Sequence, residues 1–463
     1  MSTVTISDTP FVGNDRLLVG IVLSVLTFWL FAQSVINVVP AMKSSLDISL
    51  ETLTLAVSLS ALFSGCFVVA SGGLADKFGR MRMTTLGLGL SIVGSAMLVV
   101  AQGPGLFLAG RVLQGLSAAC IMPATLALIK TWYEGRARQR AVSFWVIGSW
   151  GGSGLCSFVG GAIATGLGWR WIFVFSIAVA LLALFLLRGT PESRSASASQ
   201  HKLDVGGLLS LIAALVLVNL FISKGHGWGW SSPLSLTMLA GALAAGTIFI
   251  RNGMRKGEAA LIDFALFRNR AYGAAVLSNF LLNGTIGTMM IASIWLQQGH
   301  HLTPLESGMM TLGYLVTVLA MIRVGEKLLQ RYGARLPMMA GPVLTAIAIA
   351  LISCTFLEKA LYIGVVFASN VLFGLGLGCY ATPSTDTAVA NAPENKIGVA
   401  SGIYKMGSSL GGAMGIAVTA SLFALFLPLG MAHAAQYALW FNAVLCLGAM
   451  AVSALLLPRA SHS

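Results

Sequence analysis

The sequence predicts an all-α polytopic membrane protein, two six-helix bundles with a two-helix insert between them, fourteen transmembrane helices in all. Three observations predict it. Of 463 residues, 57% are hydrophobic and 9% charged, with a mean hydropathy of +0.86, whereas soluble domains carry about 25% charged residues. Apolar runs long enough to cross a hydrocarbon core of about 30 Å recur along the whole chain. The basic residues are also sorted by side. With the N-terminus inside, Lys43, Arg170, Lys224 and Lys359 fall in outside loops, Arg111 and Lys405 inside spans, and the rest of the 28 Lys and Arg in cytoplasmic segments. The net charge of +13 therefore reports topology, and no nucleic-acid partner is expected.

The first run, 17–39, follows Asp8, Asp15 and Arg16 and has no small-residue cleavage site, so a retained span is expected rather than a removed signal peptide. Runs at 53–73, 84–102, 106–129, 141–165 and 170–188 complete a first set of six. A Ser-rich connection from Gly189 to Asp204 follows, with Asp204 placed to open the next helix. Two runs, 205–222 and 234–250, precede a basic connection from Arg251 to Tyr272. Six more close the chain at 273–296, 306–324, 337–356, 361–387, 398–427 and 436–457. The domains are accordingly read as 1–190, 191–272 and 273–463, with both termini cytoplasmic. Cys66, Cys120, Cys156, Cys354, Cys379 and Cys446 all fall in predicted spans without a C-x-x-C pair, and read as small packing residues.

Between the second and third runs lies Gly72 to Arg82, GGLADKFGRMR, read as a charged turn at the membrane surface. Gly72 and Gly73 permit close helix approach; Asp76 suits either backbone N–H groups at a helix start or a nearby Arg; Lys77, Arg80 and Arg82 hold the turn inside. The pattern resembles the signature loop of the major facilitator superfamily, in which Gly73, Asp76, Gly79 and Arg80 would govern conformational change. A degenerate copy, KLLQRYGAR at Lys327 to Arg335, matches Gly79 with Gly333 and sets Gln330 opposite Asp76. Arg111-Val-Leu-Gln-Gly115 likewise matches Asn370-Val-Leu-Phe-Gly374, so the two halves read as repeats.

Arg111 lies inside a span, where a charge costs at least about 2.5–3.5 kcal/mol at the centre, and is expected to face a cavity or a partner, or else to snorkel to the outer interface. With Gln114, Gly115 and Ala119 it is similar to the superfamily's fourth-span motif R-x-x-Q-G-x-x-A-A, which implies a role in coupling. Gly148, Gly151, Gly152, Gly154, Gly160 and Gly161 crowd the fifth span, where small residues allow close crossing and a hinge. This span resembles the antiporter motif G-P-x-x-G-G of drug exporters, with Cys156-Ser157 in place of Gly-Pro. Fourteen-span drug:proton antiporters commonly place an Asp five residues before Asn37; Ala32 stands there, so another carboxylate must carry the proton. Trp29, Phe31, Gln33, Asn37 and Gln114 are candidates for the substrate cavity.

Glu326 and Asp386 are the remaining acids, serving either as proton carriers or as static anchors at the cytoplasmic rim. Asp386 and Lys405, each costly alone in a span, are expected to pair. His300, His301 and Glu306 lack a well-spaced further ligand and read as solvated, so no metal is expected, and no cofactor. No nucleotide loop, H-E-x-x-H or G-x-S-x-G motif occurs, so no enzymatic activity is expected.

Leu26 to Ser34, Ser117 to Leu126, Ile147 to Gly154, Ile322 to Leu329 and Gly374 to Ala388 together resemble the quinolone-resistance efflux pumps of the NorB and NorC type. That resemblance implies a monomeric multidrug exporter of the bacterial plasma membrane, exchanging amphipathic drugs for protons. A carrier of a native metabolite or organic anion shares every fold signal. Two interior cations, Arg111 and Lys405, favour a substrate bearing a carboxylate.

Overall fold

Residues 11–35, 42, 45–46, 50–195, 204–302 and 304–458 are described by the structure, a computed structural model. Helix α1 (Asp15–Leu26) opens on Asn14, whose Oδ1 accepts the Leu17 N–H at 2.8 Å, and continues through a π turn (Thr27–Phe31) and a 3₁₀ turn (Ala32–Ser34). Then come α2 (Leu50–Phe78), α3 (Arg80–Val100) and α4 (Pro104–Trp132), the last begun by a proline whose missing N–H is no loss at a helix start. Helix α5 (Gly135–Val146), a π turn (Ile147–Gly151) and α6 (Gly152–Gly166) form the fifth column, and α7 (Arg170–Leu187) the sixth.

The insert is an antiparallel pair, α8 (Val205–Trp228) and α9 (Pro233–Lys256). Asp204 ties its two ends together by accepting the Gly207 N–H at 2.9 Å, the Leu261 N–H at 3.2 Å and the Lys256 ammonium at 2.5 Å. Helices α10 (Arg270–Asn283) and α11 (Gly287–Ile294) form one broken column, followed by the short α12 (Pro304–Met309), α13 (Leu312–Tyr332), α14 (Arg335–Ile352), α15 (Lys359–Ala390), α16 (Ile397–Phe426) and α17 (Met431–Leu456).

Among the described residues, 12 helices are long and apolar enough to cross a membrane, or 13 if the fifth column, bent by 50° between Gly135–Cys156 and Phe158–Gly166, counts as one span. The remaining apolar run, 205–222, lies in α8, where Val205–Val218 registers among the described residues as a shorter apolar helix.

Helices α1–α7 pack as one bundle and α10–α17 as another, with repeated internal contacts. In the first bundle α4 lies against α2 and α3; in the second α15 lies against α13 and α14. Small residues set both crossings. A Cβ on Gly115 would sit 2.5 Å from the Ser60 carbonyl oxygen, and one on Gly374 2.6 Å from that of Tyr314. Gly79 and Gly333 both take positive φ, 124° and 75°, to end α2 and α13.

The charged turn is shorter than the sequence suggests. Gly72 to Phe78 are helical, and Gly79 alone breaks the backbone before α3. A helix keeps its own hydrogen bonds on leaving hydrocarbon, so polarity marks the membrane surface without marking the helix end.

Candidate functional site

The two bundles meet most tightly at the end that carries Gly79. Helices α2 and α16 run antiparallel with their backbones touching: a Cβ on Gly72 would lie 2.2 Å from the Gly398 carbonyl oxygen, and one on Gly402 2.8 Å from that of Val68. No larger residue fits this crossing, which brings Asp76 to the first turn of α16. Its Oδ1 accepts the Gly398 N–H at 2.9 Å and its Oδ2 the Val399 N–H at 3.1 Å. Lys396, at the cap position, makes no such bond with its side chain, so an acid of one bundle caps a helix of the other. Asp76 also pairs with Arg80 at 3.1 Å, and Arg80 donates to the Glu394 carbonyl at 3.0 Å and to Thr131 Oγ1 at 2.6 Å.

Two further side chains fasten the same seam. Lys130, in the last turn of α4, donates to the Ala390 and Ala392 carbonyls at the end of α15. Arg138, on α5, donates through Nε to Asp386 Oδ1 at 3.0 Å, crossing from the first bundle to the second. The expected pairing of Asp386 with Lys405 is thereby corrected. Asp386 lies about one turn from the C-terminal end of α15, within reach of Arg138, whereas Lys405 lies over two indole rings, its Nζ 5.0 Å from the Trp145 ring centre and 5.8 Å from that of Trp29. Among the described residues no carboxylate stands within 4 Å of Lys405.

The seam opens at Lys405. The register that sets Gly72 beside Gly398 and Val68 beside Gly402 continues to Gly65 opposite Lys405, yet a Cβ on Gly65 would meet nothing within 4 Å. The walls at this level are tied down. Trp29, in the π turn of the first column, donates through Nε1 to Met122 Sδ at 3.2 Å, and Trp145 donates to Thr125 Oγ1 at 2.9 Å. Such one-turn π segments recur at functional sites.

Arg111 is fully buried, with four of its five N–H donors hydrogen-bonded. It donates to the Ala32 and Ala56 carbonyls at 2.7 and 3.0 Å, to Ser60 Oγ at 2.6 Å and to Gln114 Oε1 at 2.6 Å, so it braces α1, α2 and α4 and reaches no ion-pair partner among the described residues. Gln114 is occupied by this brace, Phe31 is buried in the packing, Gln33 is half-buried, and Asn37 lies outside the described residues. Glu326 pairs along its own helix with Arg323 and accepts from Gln330 at 3.1 Å; the Arg323 guanidinium lies 4.7 Å over the Phe144 ring of the other bundle.

The glycines of the fifth column divide between two neighbours. Gly148 and Gly152 face α1, with Cβ positions 3.2 Å from Val22 Cγ1 and 3.1 Å from Trp29 Cβ, and Gly160 faces Ser34. Gly151 and Gly154 instead meet Leu319 and Leu315 of α13, in the other bundle, while Gly161 faces open space. His300 is not simply solvated: it stacks on Tyr362 at 5.1 Å and meets Trp295 edge-on at 5.0 Å. No group of three His, Cys, Asp or Glu among the described residues is arranged to hold a metal.

The sequence missed Lys130 and Arg138. Arg138 stands in Arg136-Ala-Arg138-Gln-Arg140, where all three arginines satisfy the positive-inside rule equally, and nothing local marks the one that crosses the seam.

Two helical bundles joined edge to edge by an acid-capped helix, over long apolar columns, define a membrane carrier. The chain belongs to the Major Facilitator Superfamily, whose family model matches residues 17–267 and 273–463. It is 51% identical over 454 residues to the "Quinolone resistance protein NorB" of Staphylococcus aureus strains MRSA252 and MW2, covering 98% of each chain. Its fold is similar to that of the proton:xylose symporter XylE (TM-score 0.68, 16% identity, 96% of each chain covered) and of a bacterial homologue of the iron transporter ferroportin in its outward-facing state (TM-score 0.64, 14% identity, 95% of this chain and 98% of that one).

Proposed function

We propose that this protein exports amphipathic drugs, fluoroquinolones among them, across the bacterial plasma membrane in exchange for protons, by alternating access. The observation that carries the reading is the 51% identity, over 98% of both chains, to proteins named for quinolone resistance. Proton coupling is typical of the family. In this reading α8 crosses the bilayer as well, giving fourteen spans divided as 1–190, 191–272 and 273–463. The sorting of basic residues supports a cytoplasmic Gly79 end with both termini on the same side, and we take the protein to work as a monomer and the closed seam there as the outward-facing arrangement.

Asp386 is our choice for the proton carrier. Its pair with Arg138 spans the bundles, so protonation would cancel one charge of the link and favour parting at the cytoplasmic end. Glu326 is the second choice, because its partner lies on its own helix. Arg111 then acts as a fixed brace, and the Gly148, Gly151 and Gly152 region as the sliding contact between α1 and α13.

Drug accumulation in cells with and without the expressed protein, repeated with the proton gradient collapsed, tests the reading. Lower accumulation only while the gradient stands is expected; equal accumulation in all conditions would remove it. A carrier of a native organic anion is the second reading, favoured by the absence, among the described residues, of a carboxylate within 4 Å of Lys405.

A further inference from the structure

The geometry points to Lys405 as the group that holds the substrate's carboxylate, with the substrate's aromatic body against Trp29. This assignment rests on the export reading and names the chemistry of its site. Lys405 lies where the bundles part: below it Gly402 touches Val68, and opposite it, among the described residues, a Cβ on Gly65 would meet nothing within 4 Å. It belongs to α16, while the rings beneath it, Trp29 and Trp145, belong to the other bundle. A cation within a membrane protein is costly unless compensated, and two indole faces at 5.0 and 5.8 Å give only part of what a carboxylate gives.

The other buried cations are spoken for. Arg111 is engaged by two carbonyls, a hydroxyl and an amide oxygen, and Arg80 by Asp76, Glu394 and Thr131. An ammonium has three N–H donors, and rings on one side leave donors for the gap. Trp145 is buried and fixes the floor. Trp29 is half-buried, and its Nε1 donates to Met122 Sδ, which orients the ring. A planar aryl carboxylic acid satisfies both features at once: the carboxylate pairs with Nζ and the ring stacks on indole. Because Lys405 and Trp29 come from opposite bundles, such a ligand bridges them, and its occupancy is felt by the element that moves.

The test uses purified full-length protein in liposomes, with norfloxacin and its decarboxylated analogue as probes, comparing wild type, Lys405→Met and Lys405→Arg. The expected result is a loss of norfloxacin transport of about tenfold or more in Lys405→Met, the size of one charged hydrogen bond. The decarboxylated analogue should stay within about twofold, and Lys405→Arg should recover norfloxacin. Equal loss of both probes in Lys405→Met would make Lys405 a structural residue, and no loss of either would make it a bystander; each overturns the assignment. Wild-type protein that moves neither probe would remove the export reading itself, a result separate from either of these.

Discussion

Arg138 and Asp386, on opposite bundles, meet at 3.0 Å with the carboxylate buried and the guanidinium one-fifth exposed. The pair links α5 to α15 beside the α2–α16 crossing, and in the proposed cycle it is one of the contacts that must break for that end to part. Removing one member of a buried pair strands the other, at a cost of about 3–5 kcal/mol. Asp386→Asn should abolish gradient-driven drug transport while the protein still reaches the membrane. The exchanged double variant Arg138→Asp with Asp386→Arg should regain part of what either single reversal loses. Single and double variants that transport equally well would show that the pair is an anchor outside the cycle.

Gly72 and Gly398 set how closely the bundles approach. With only 2.2 Å between a Cβ at either site and the facing carbonyl oxygen, Gly72→Val cannot close the seam without moving a helix backbone. Cross-linking between cysteines introduced at the Gly79 end of α2 and the facing first turn of α16 should fall in Gly72→Val, together with transport. Gly73→Ala is the control, because its Cβ would meet only Val399 Cγ2, at 3.5 Å.

Asp76 acts through charge as well as geometry. Asp76→Asn keeps one acceptor oxygen, enough for one of the Gly398 and Val399 N–H groups, but loses the charge that favours a helix N-terminus and holds Arg80, whereas Asp76→Ala loses both. Ala should therefore reduce seam cross-linking more than Asn, with the cap worth about 0.5–2 kcal/mol. Identical behaviour of the two variants would mean that charge alone matters.

Lys396 is held from the side of the insert by Asp263, at 2.6 Å. Burial alone would raise the Asp263 carboxyl, but the bond from Lys396, the Ala265 N–H and nearby Arg268 hold it below the usual carboxylate value of 3.8. A depressed carboxyl stabilises the folded protein above its unfolded pKa and ceases to do so as pH falls through the lower folded value. Lys396→Met should lower the Tm of detergent-purified protein at pH 7, and the difference from wild type should close below about pH 4. A difference independent of pH would place the effect in packing.

The columns were legible in the sequence because the bilayer demands long apolar runs, and the sorting of Lys and Arg is equally direct. So was the dual role open to Asp76, since a short acid beside glycines and Arg80 has few other uses. The partner of Asp386 was not legible. Cost arguments correctly say that a buried Asp needs a cation, but Lys405 was the only intramembrane candidate on that half of the sequence, and Arg138, 248 residues away, looked like one of three surface anchors. Arg111 misled for a related reason: sequence shows that a buried charge must be compensated, and cannot show that carbonyls at Ala32 and Ala56 will do it.

Purified wild-type protein in liposomes, loaded with a fluoroquinolone and given an imposed pH difference, tests the central claim most directly. Drug should move against its own gradient, opposite to the protons, and stop when an ionophore abolishes the pH difference. Uphill movement that persists after that collapse, or no movement with the pH difference in place, would contradict it.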